Sequence, residues 1–361
     1  MHVALIIDQE RLRREHAMLQ RITEGLREHE VQVTLVLPAT LDPDDTHAVF
    51  GDTEVRARMQ VPLWMRRSRA RHVAGTLSNG TPDLIHAIGG QAWTVALDLC
   101  RVIDRPVTLD VWAADLLKRI PPGRAATSVA AYVAPTDPLA DAVRQRVGPD
   151  LVTVVPLGVE VPEAARTVLG DREASMTLAI VGSGRDLPGY RAMLTGLSRL
   201  ISEFPQIQAC LELRGPGEHD IWRQARRLDL LGHISTIVDA ASHRPLLTSC
   251  DVLVIPERLG QVRSILLEAM AGGMPVVAAD DPYLDMLIHD QTALIVDQAE
   301  PDDWTEKLRL ILTDAELPGR LGEAARGLVD DRHSPAAQGE KLAGVFRQVI
   351  SGGAHTFEQI P

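Results

Sequence analysis

The sequence predicts an α/β protein made of two doubly wound domains, each a parallel sheet with helices on both faces. Three observations lead there. The first is length: 361 residues exceed what one compact core comfortably holds, and two domains fit better. The second is alternation, since short β-branched runs and amphipathic stretches follow one another at the pitch of βαβ units. The third is a break between Glu160 and Ser175, where the apolar period lapses and charge rises, as in a linker.

The elements follow in order. Residues 2–8 form a β-branched strand suited to a buried parallel sheet. Residues 10–28 carry Leu12, Ala17, Leu19, Ile22 and Leu26 at helical spacing, and 31–37 form a second strand stopped by Pro38. Residues 39–80 resist the pattern. They hold the charged run 66–71 and read as a helical excursion or a loop. Strands are then expected at 83–87, 106–111, 130–135 and 151–155, with helices at 91–101, 113–120 and 138–146. The second series has strands at 177–181, 207–213, 234–238, 251–255 and 275–278, with helices at 190–204, 221–228, 245–248 and 265–271. The tail from 303 to 350 is mostly helical. These readings place the domains at 1–165 and 172–339, with the helix from about 340 to 361 packing back on the first. Two such domains facing each other put the carboxyl ends of both sheets at one cleft, where small molecules bind.

Composition excludes several classes. Aromatic residues make up 3 % and the formal charge is -12, which argues against nucleic-acid binding. Cys100, Cys210 and Cys250 are widely spaced with no CxxC, and the twelve histidines show no HxH or HExxH spacing, so neither a disulfide framework nor a metal site is expected. Residues 1–8 do not read as a signal peptide, and no apolar run has the length of a membrane helix. A cytoplasmic protein is expected, with peripheral membrane contact through an arginine-bearing helix left open. The sequence carries no signal for oligomeric state.

The most specific segment runs from Asp251 to Val277: strand, loop, helix, Gly272-Gly273 turn, strand. Ser264 is the expected N-cap of that helix. The N–H groups at its start, the loop before it (Gly260, Gln261, Val262) and Arg263 beside it favour an anion. Glu268 falls about one turn further on, where a carboxylate is able to accept ribose hydroxyl protons.

Residues 267–277, Leu-Glu-Ala-Met-Ala-Gly-Gly-Met-Pro-Val-Val, resemble the signature of retaining GT-B glycosyltransferases of the group 1, or family 4-like, type. Supporting matches are Val155-Pro156-Leu157-Gly158-Val159, the strand end Ile180-Val181-Gly182 and the stretch 284–296. The resemblance implies a GT-B fold, two Rossmann-like doubly wound domains facing a central cleft. It implies transfer of a hexose from a UDP- or GDP-linked donor to an unknown glycan, lipid or small-molecule acceptor. Metal independence and retention are implied with it, and no cofactor beyond the donor. Glu268 is then the donor's ribose anchor, and Gly217 and Glu218 lie where the nucleotide base is contacted.

The sequence also departs from that family. A second glutamate, expected eight positions before Glu268, is replaced by Gly260, with Glu257 three residues too early. An arginine and a lysine that hold the diphosphate are replaced by Ser183 and Pro188. Arg185 is the nearest cation, and Gly182, Ser183 and Gly184 remain to cradle phosphate through backbone N–H groups. Asp110 stands where the family often keeps a histidine facing the reacting sugar, and the first loop is the bulky, acidic Asp8-Gln9-Glu10-Arg11. His86 ends a strand near the expected cleft and reads more readily as a core residue. Three readings stand: a transferase with Asp110, Arg185 and Arg263 in the chemistry, a nucleotide- or sugar-binding partner that does not transfer, and a sugar-nucleotide epimerase.

Overall fold

The computed structural model describes residues 1–40, 51–77, 80–122, 128–165, 176–213, 215–236, 247–297 and 300–353. The chain divides into two compact units, Met1–Gly158 with Ser334–Pro361, and Val159–His333.

The first unit has seven parallel strands among its described residues: β1 (His2–Ile7), β2 (Gln32–Pro38), β3 (Thr53–Ala57), β4 (Leu84–Ile88), β5 (Val107–Asp110), β6 (Val129–Ala134) and β7 (Val152–Val154). Their spatial order is β3-β2-β1-β4-β5-β6-β7. Every residue of β1 is buried, as a strand covered on both faces must be. The helices are α1 (Gln9–Arg14), α2 (His16–Glu28), α3 (Arg66–Thr76), α4 (Gly90–Ile103) and α5 (Asp137–Val147).

Two expectations change here. The single helix read over 10–28 is two helices, because the backbone bends at Glu15 (φ -128, ψ 34) after Asp8 has capped the first. Part of the resistant stretch 39–80 is a third strand followed by α3; residues 41–50, 78 and 79 lie outside the described residues. Thr53–Ala57 is an edge strand, half-exposed and carrying Glu54 and Arg56, so it lacks the apolar run that marks its neighbours. The stretch 113–120 forms a 3-10 turn over Ala114–Arg119 in place of an α-helix.

The C-terminal helix, Pro335–Gly353, belongs to this unit and packs along α2. The two backbones cross at glycines: a Cβ on Gly25 would lie 3.1 Å from Gly339 Cα. Gln338 Oε1 accepts the Gly158 N–H at 2.9 Å, and the Phe346 ring lies 5.1 Å from the His86 ring, centroid to centroid.

The second unit has six parallel strands among its described residues: β8 (Thr177–Gly182), β9 (Gln208–Leu213), β10 (Ile234–Thr236), β11 (Val252–Ile255), β12 (Val276–Ala279) and β13 (Leu294–Val296), in the order β10-β9-β8-β11-β12-β13. Its helices are α6 (Leu187–Glu203), α7 (Glu218–Arg227), α8 (Ser264–Ala271), α9 (Pro301–Thr313) and α10 (Leu317–Arg332). The core joins Leu178, Ile180, Tyr190, Leu197, Leu211, Val254 and Trp304, all buried. Each large apolar side chain so buried contributes about 1.5–3 kcal/mol. The short helix expected at 245–248 falls partly outside the described residues, as do most of the linker and the end of the strand expected at 234–238.

Candidate functional site

In the second unit the winding reverses between β8 and β11, and both strands deliver loops to that point at their carboxyl ends. Doubly wound sheets bind ligands at such reversals. One loop runs from Gly182 through Ser183, Gly184, Arg185 and Asp186 into α6; the other runs from Ile255 through Glu257 and Gly260 to α8.

The donors of the first loop converge on a carboxylate of the second. Buried Glu257 accepts the Ser183 N–H, the Ser183 hydroxyl at 3.1 Å, the Arg185 N–H at 2.8 Å and the Asp186 N–H at 3.1 Å. Asp186 ties the loops from the other side. Its carboxylate accepts the Arg258 N–H at 3.2 Å and caps α6 through the Gly189 N–H at 3.2 Å. Gly184 (φ +70) gives the turn its shape. Successive N–H groups of this kind make an anion-binding concavity, and here the chain's own side chain sits in it. Glu257 is therefore spent on joining loops. The Arg185 side chain is exposed beside this tie.

The glycines around the tie are explained by close packing. A Cβ on Gly182 would come 2.3 Å from Tyr190 Oη and 2.9 Å from Glu257 Oε2. A Cβ on Gly215 would lie 1.6 Å from the Ser183 carbonyl oxygen, and one on Gly217 2.2 Å from that of Gly184. The Gly217 N–H donates to that same Gly184 oxygen at 3.0 Å. Gly217 thus interlocks two turns, and Glu218 is the exposed first residue of α7.

Around α8 the structure alters two expectations. Ser264 is the first helical residue; the cap position is Arg263, in extended conformation, with no side-chain cap hydrogen bond. The Arg263 guanidinium is buried and reaches Glu212 on β9 with both terminal nitrogens, Nη1 to Oε2 and Nη2 to Oε1, each at 3.2 Å. A bidentate pair of this kind fixes the arginine toward the sheet. Gly260 sits at φ +58, and its N–H donates to Asp281 at 2.6 Å. A glutamate at that left-handed backbone would be strained. Burial pushes the Asp281 carboxyl up, while the Tyr283 and Gly260 N–H groups pull it down. Asp281, Glu257, Gln261, Arg263 and Gly182 line a cavity of about 30 Å³, room for a water or two. Val262 is buried and Glu268 is half-buried on α8.

In the first unit the reversal lies between β1 and β4. Asp8, just after β1, accepts the Arg11 N–H at 3.0 Å and the Gln91 N–H at 3.2 Å, so it caps α1 and meets the start of α4. Gly89 (φ +102) leaves room for it, since a Cβ there would lie 2.2 Å from the Asp8 carboxyl carbon. Burial pushes the Asp8 carboxyl up. Arg11 is 1 % exposed; its guanidinium lies 4.1 Å over the Trp112 ring and 3.7 Å from Glu15.

Asp110 ends β5 in this unit. Among the described residues nothing hydrogen-bonds its carboxylate, and burial pushes its pKa up to about 6, with Arg11 lowering it and Asp8 raising it. A carboxyl titrating there is suited to proton transfer near neutrality. His86 is held in the core: Nδ1 is 2.8 Å from the Thr108 hydroxyl, and burial lowers its pKa to about 3, leaving the ring neutral.

The ties themselves escape sequence reading. Glu212 and Arg263 lie on separate elements, and no local spacing links them. Asp281 had a usable signal, because an acid just past a strand's carboxyl end lies at the ligand edge of such a sheet. Among the described residues no cluster of His, Cys, Asp or Glu has the arrangement to hold a metal ion.

Residues 163–328 match the family model described as Glycosyl transferases group 1, which spans nearly all of the second unit. That unit is a group 1 glycosyltransferase domain. Among curated relatives, the D-inositol 3-phosphate glycosyltransferase of Corynebacterium kroppenstedtii is 28 % identical over 219 residues, 58 % of this chain and 48 % of the relative. The alpha-D-kanosaminyltransferase of Streptomyces kanamyceticus is 24 % identical over 341 residues, 87 % of this chain and 88 % of the relative. The chain spans about half the length of several curated relatives it matches. Among solved structures, Anabaena HepE in complex with UDP-glucose superposes with a TM-score of 0.77 at 16 % identity, covering 96 % of this chain and 100 % of that one. The shared architecture is the GT-B fold. Within the group 1 domain, Gly260, Ser183 and Pro188 therefore stand in a glycosyltransferase frame whose loops are cross-tied by Glu257.

Proposed function

We propose that this chain is a metal-independent glycosyltransferase that moves a hexose from a UDP- or GDP-linked sugar to a hydroxyl-bearing acceptor, with retention. The observation that carries the proposal is Glu268, half-buried on α8 inside the matched domain and about one turn past the helix start. It anchors the ribose. The complexes of HepE with UDP and with UDP-glucose support a uridine donor. The exposed Arg185 side chain meets the departing diphosphate, whose added charge a cation stabilises. In the first unit Asp110 handles the acceptor hydroxyl, its raised pKa fitting that task. Cytoplasmic placement belongs to the same proposal; among the described residues no helix is long and apolar enough to cross a membrane.

One observation favours a second reading, a nucleotide- or sugar-binding partner without transfer. Backbone donors at both sheet reversals are already taken by Glu257 and Asp8, and Arg263 is held by Glu212. Incubation with a panel of UDP-, GDP- and ADP-sugars separates the two. Release of free nucleotide diphosphate supports transfer. No turnover, together with a rise in melting temperature on adding nucleotide, favours the binding partner. Neither turnover nor thermal protection would remove the pocket itself.

A further inference from the structure

Leu63 and Trp64, on the 3-10 turn that enters α3, are 80 % and 81 % exposed, and Val102 at the end of α4 is also exposed. Large apolar side chains at the tip of one turn are out of place on a free surface. The charge beside them is equally unusual. Residues 57–77 contain Arg58, Arg66, Arg67, Arg69 and Arg71 and no acidic residue, in a chain whose formal charge is -12.

The nearby carboxylate does not cancel that charge. Asp98 of α4 accepts from Arg66 Nε at 2.8 Å and Nη2 at 2.7 Å, pairs with Arg69, and lies 3.6 Å from Arg101 Nη1. One carboxylate thus serves three guanidinium groups, and two positive charges are left over. Arg67 and Arg71 are exposed and make no ion pair with a described residue. A hollow of about 460 Å³ opens here, lined by Leu63, Arg66, Arg67, Asp98, Arg101 and Val102. It is wide enough for a phosphate headgroup.

We propose that Leu63 and Trp64 insert into the interface of an anionic lipid bilayer while the surrounding arginines hold its phosphate headgroups. Charge complementarity selects this occupant. Tryptophan and leucine suit the headgroup–acyl boundary, and each nearby arginine strengthens attraction to an anionic leaflet about fivefold. A second copy of this chain would bring arginine against arginine at the same tip.

The test is flotation of the full chain with vesicles of phosphatidylcholine alone, and of phosphatidylcholine with about one-third phosphatidylglycerol, at low and high salt. No sugar nucleotide is present, so the result is independent of transfer. The full chain should float with the anionic vesicles only, and less at high salt. Arg67→Ala with Arg71→Ala should weaken binding about 25-fold. Leu63→Ser with Trp64→Ser should weaken it at least about tenfold with an unchanged melting temperature, since both side chains are exposed. Brominated lipid should quench fluorescence in the full chain and less in Trp64→Phe, a readout that needs no loss of binding. The proposal is overturned by equal flotation with both vesicle types, by full binding of the Leu63→Ser and Trp64→Ser double variant, or by a dimer in sedimentation that this double variant dissolves.

Discussion

Glu257 holds Ser183 twice, through its backbone N–H and through its hydroxyl. One carboxylate of the loop after β11 therefore closes the loop after β8, at the point where a donor's diphosphate is expected.

Replacing Glu257 tests what that closure is worth. Glu257→Ala leaves the Ser183, Arg185 and Asp186 donors without their acceptor, and the loss in unfolding free energy should be about 2–4 kcal/mol. An added anion can then take the vacated site. UDP or pyrophosphate should raise the melting temperature of Glu257→Ala more than that of the unsubstituted chain. Equal shifts would show that these N–H groups do not meet phosphate.

The Arg263–Glu212 pair predicts strong non-additivity. Arg263→Met alone takes this guanidinium away from a buried carboxylate and should cost about 3–5 kcal/mol in urea unfolding. Adding Glu212→Leu should recover most of it. Were the double variant as unstable as the single one, the pair would not be the source of the loss.

Asp110 gives a pH signature. Its folded pKa, about 6, lies above the ordinary carboxylate value of 3.8. The folded chain then holds the proton more tightly, so this group's stabilisation is present below about pH 4 and lost as pH rises toward 6. Asp110→Asn should gain on the unsubstituted chain across that window, by about 3 kcal/mol at most at pH 7. Melting curves at pH 4 and pH 7 read the difference directly.

Gly215→Ala and Gly232→Ala form a matched pair. The first places a Cβ against the Ser183 carbonyl, and the second meets nothing within 4 Å. Thermal unfolding should show a loss of roughly 3 kcal/mol for Gly215→Ala and a change within about 0.5 kcal/mol for Gly232→Ala.

Glu268→Gln should keep the fold and weaken nucleotide binding about tenfold or more, since a charge-assisted hydrogen bond contributes about 1.5–3 kcal/mol. Titration calorimetry with UDP and GDP checks this. Unchanged affinity would place the ribose elsewhere.

The strands were legible because they are buried on both faces. Residues 2–8 and 177–181 hold the unbroken apolar runs 3–7 and 178–181, and the structure finds β1 and β8 there. Thr53–Ala57 was not legible, since an edge strand keeps charged residues on its open side. At the site, the sequence located the loops and the helix carrying Glu268. It gave no access to partners chosen in space. Arg263 reads like an anion ligand from its neighbours at the helix start, yet its guanidinium is committed to a glutamate 51 residues away. Glu257 looks misplaced by spacing alone, and its place is explained only by the N–H groups it meets.

The chain leaves its first unit at Gly158 and comes back to it at Ser334. Synthesis delivers residues in one direction, so all seven strands of the first sheet leave the ribosome well before Gln338 and Phe346 do. Until then α2 lacks the helix that crosses it at Gly25, and His86 lacks its aromatic neighbour. The usual order, in which the N-terminal domain finishes first, is reversed: the unit begun first is the last to be sealed. A newborn chain therefore makes the whole of its second unit before the helix that packs along α2 exists.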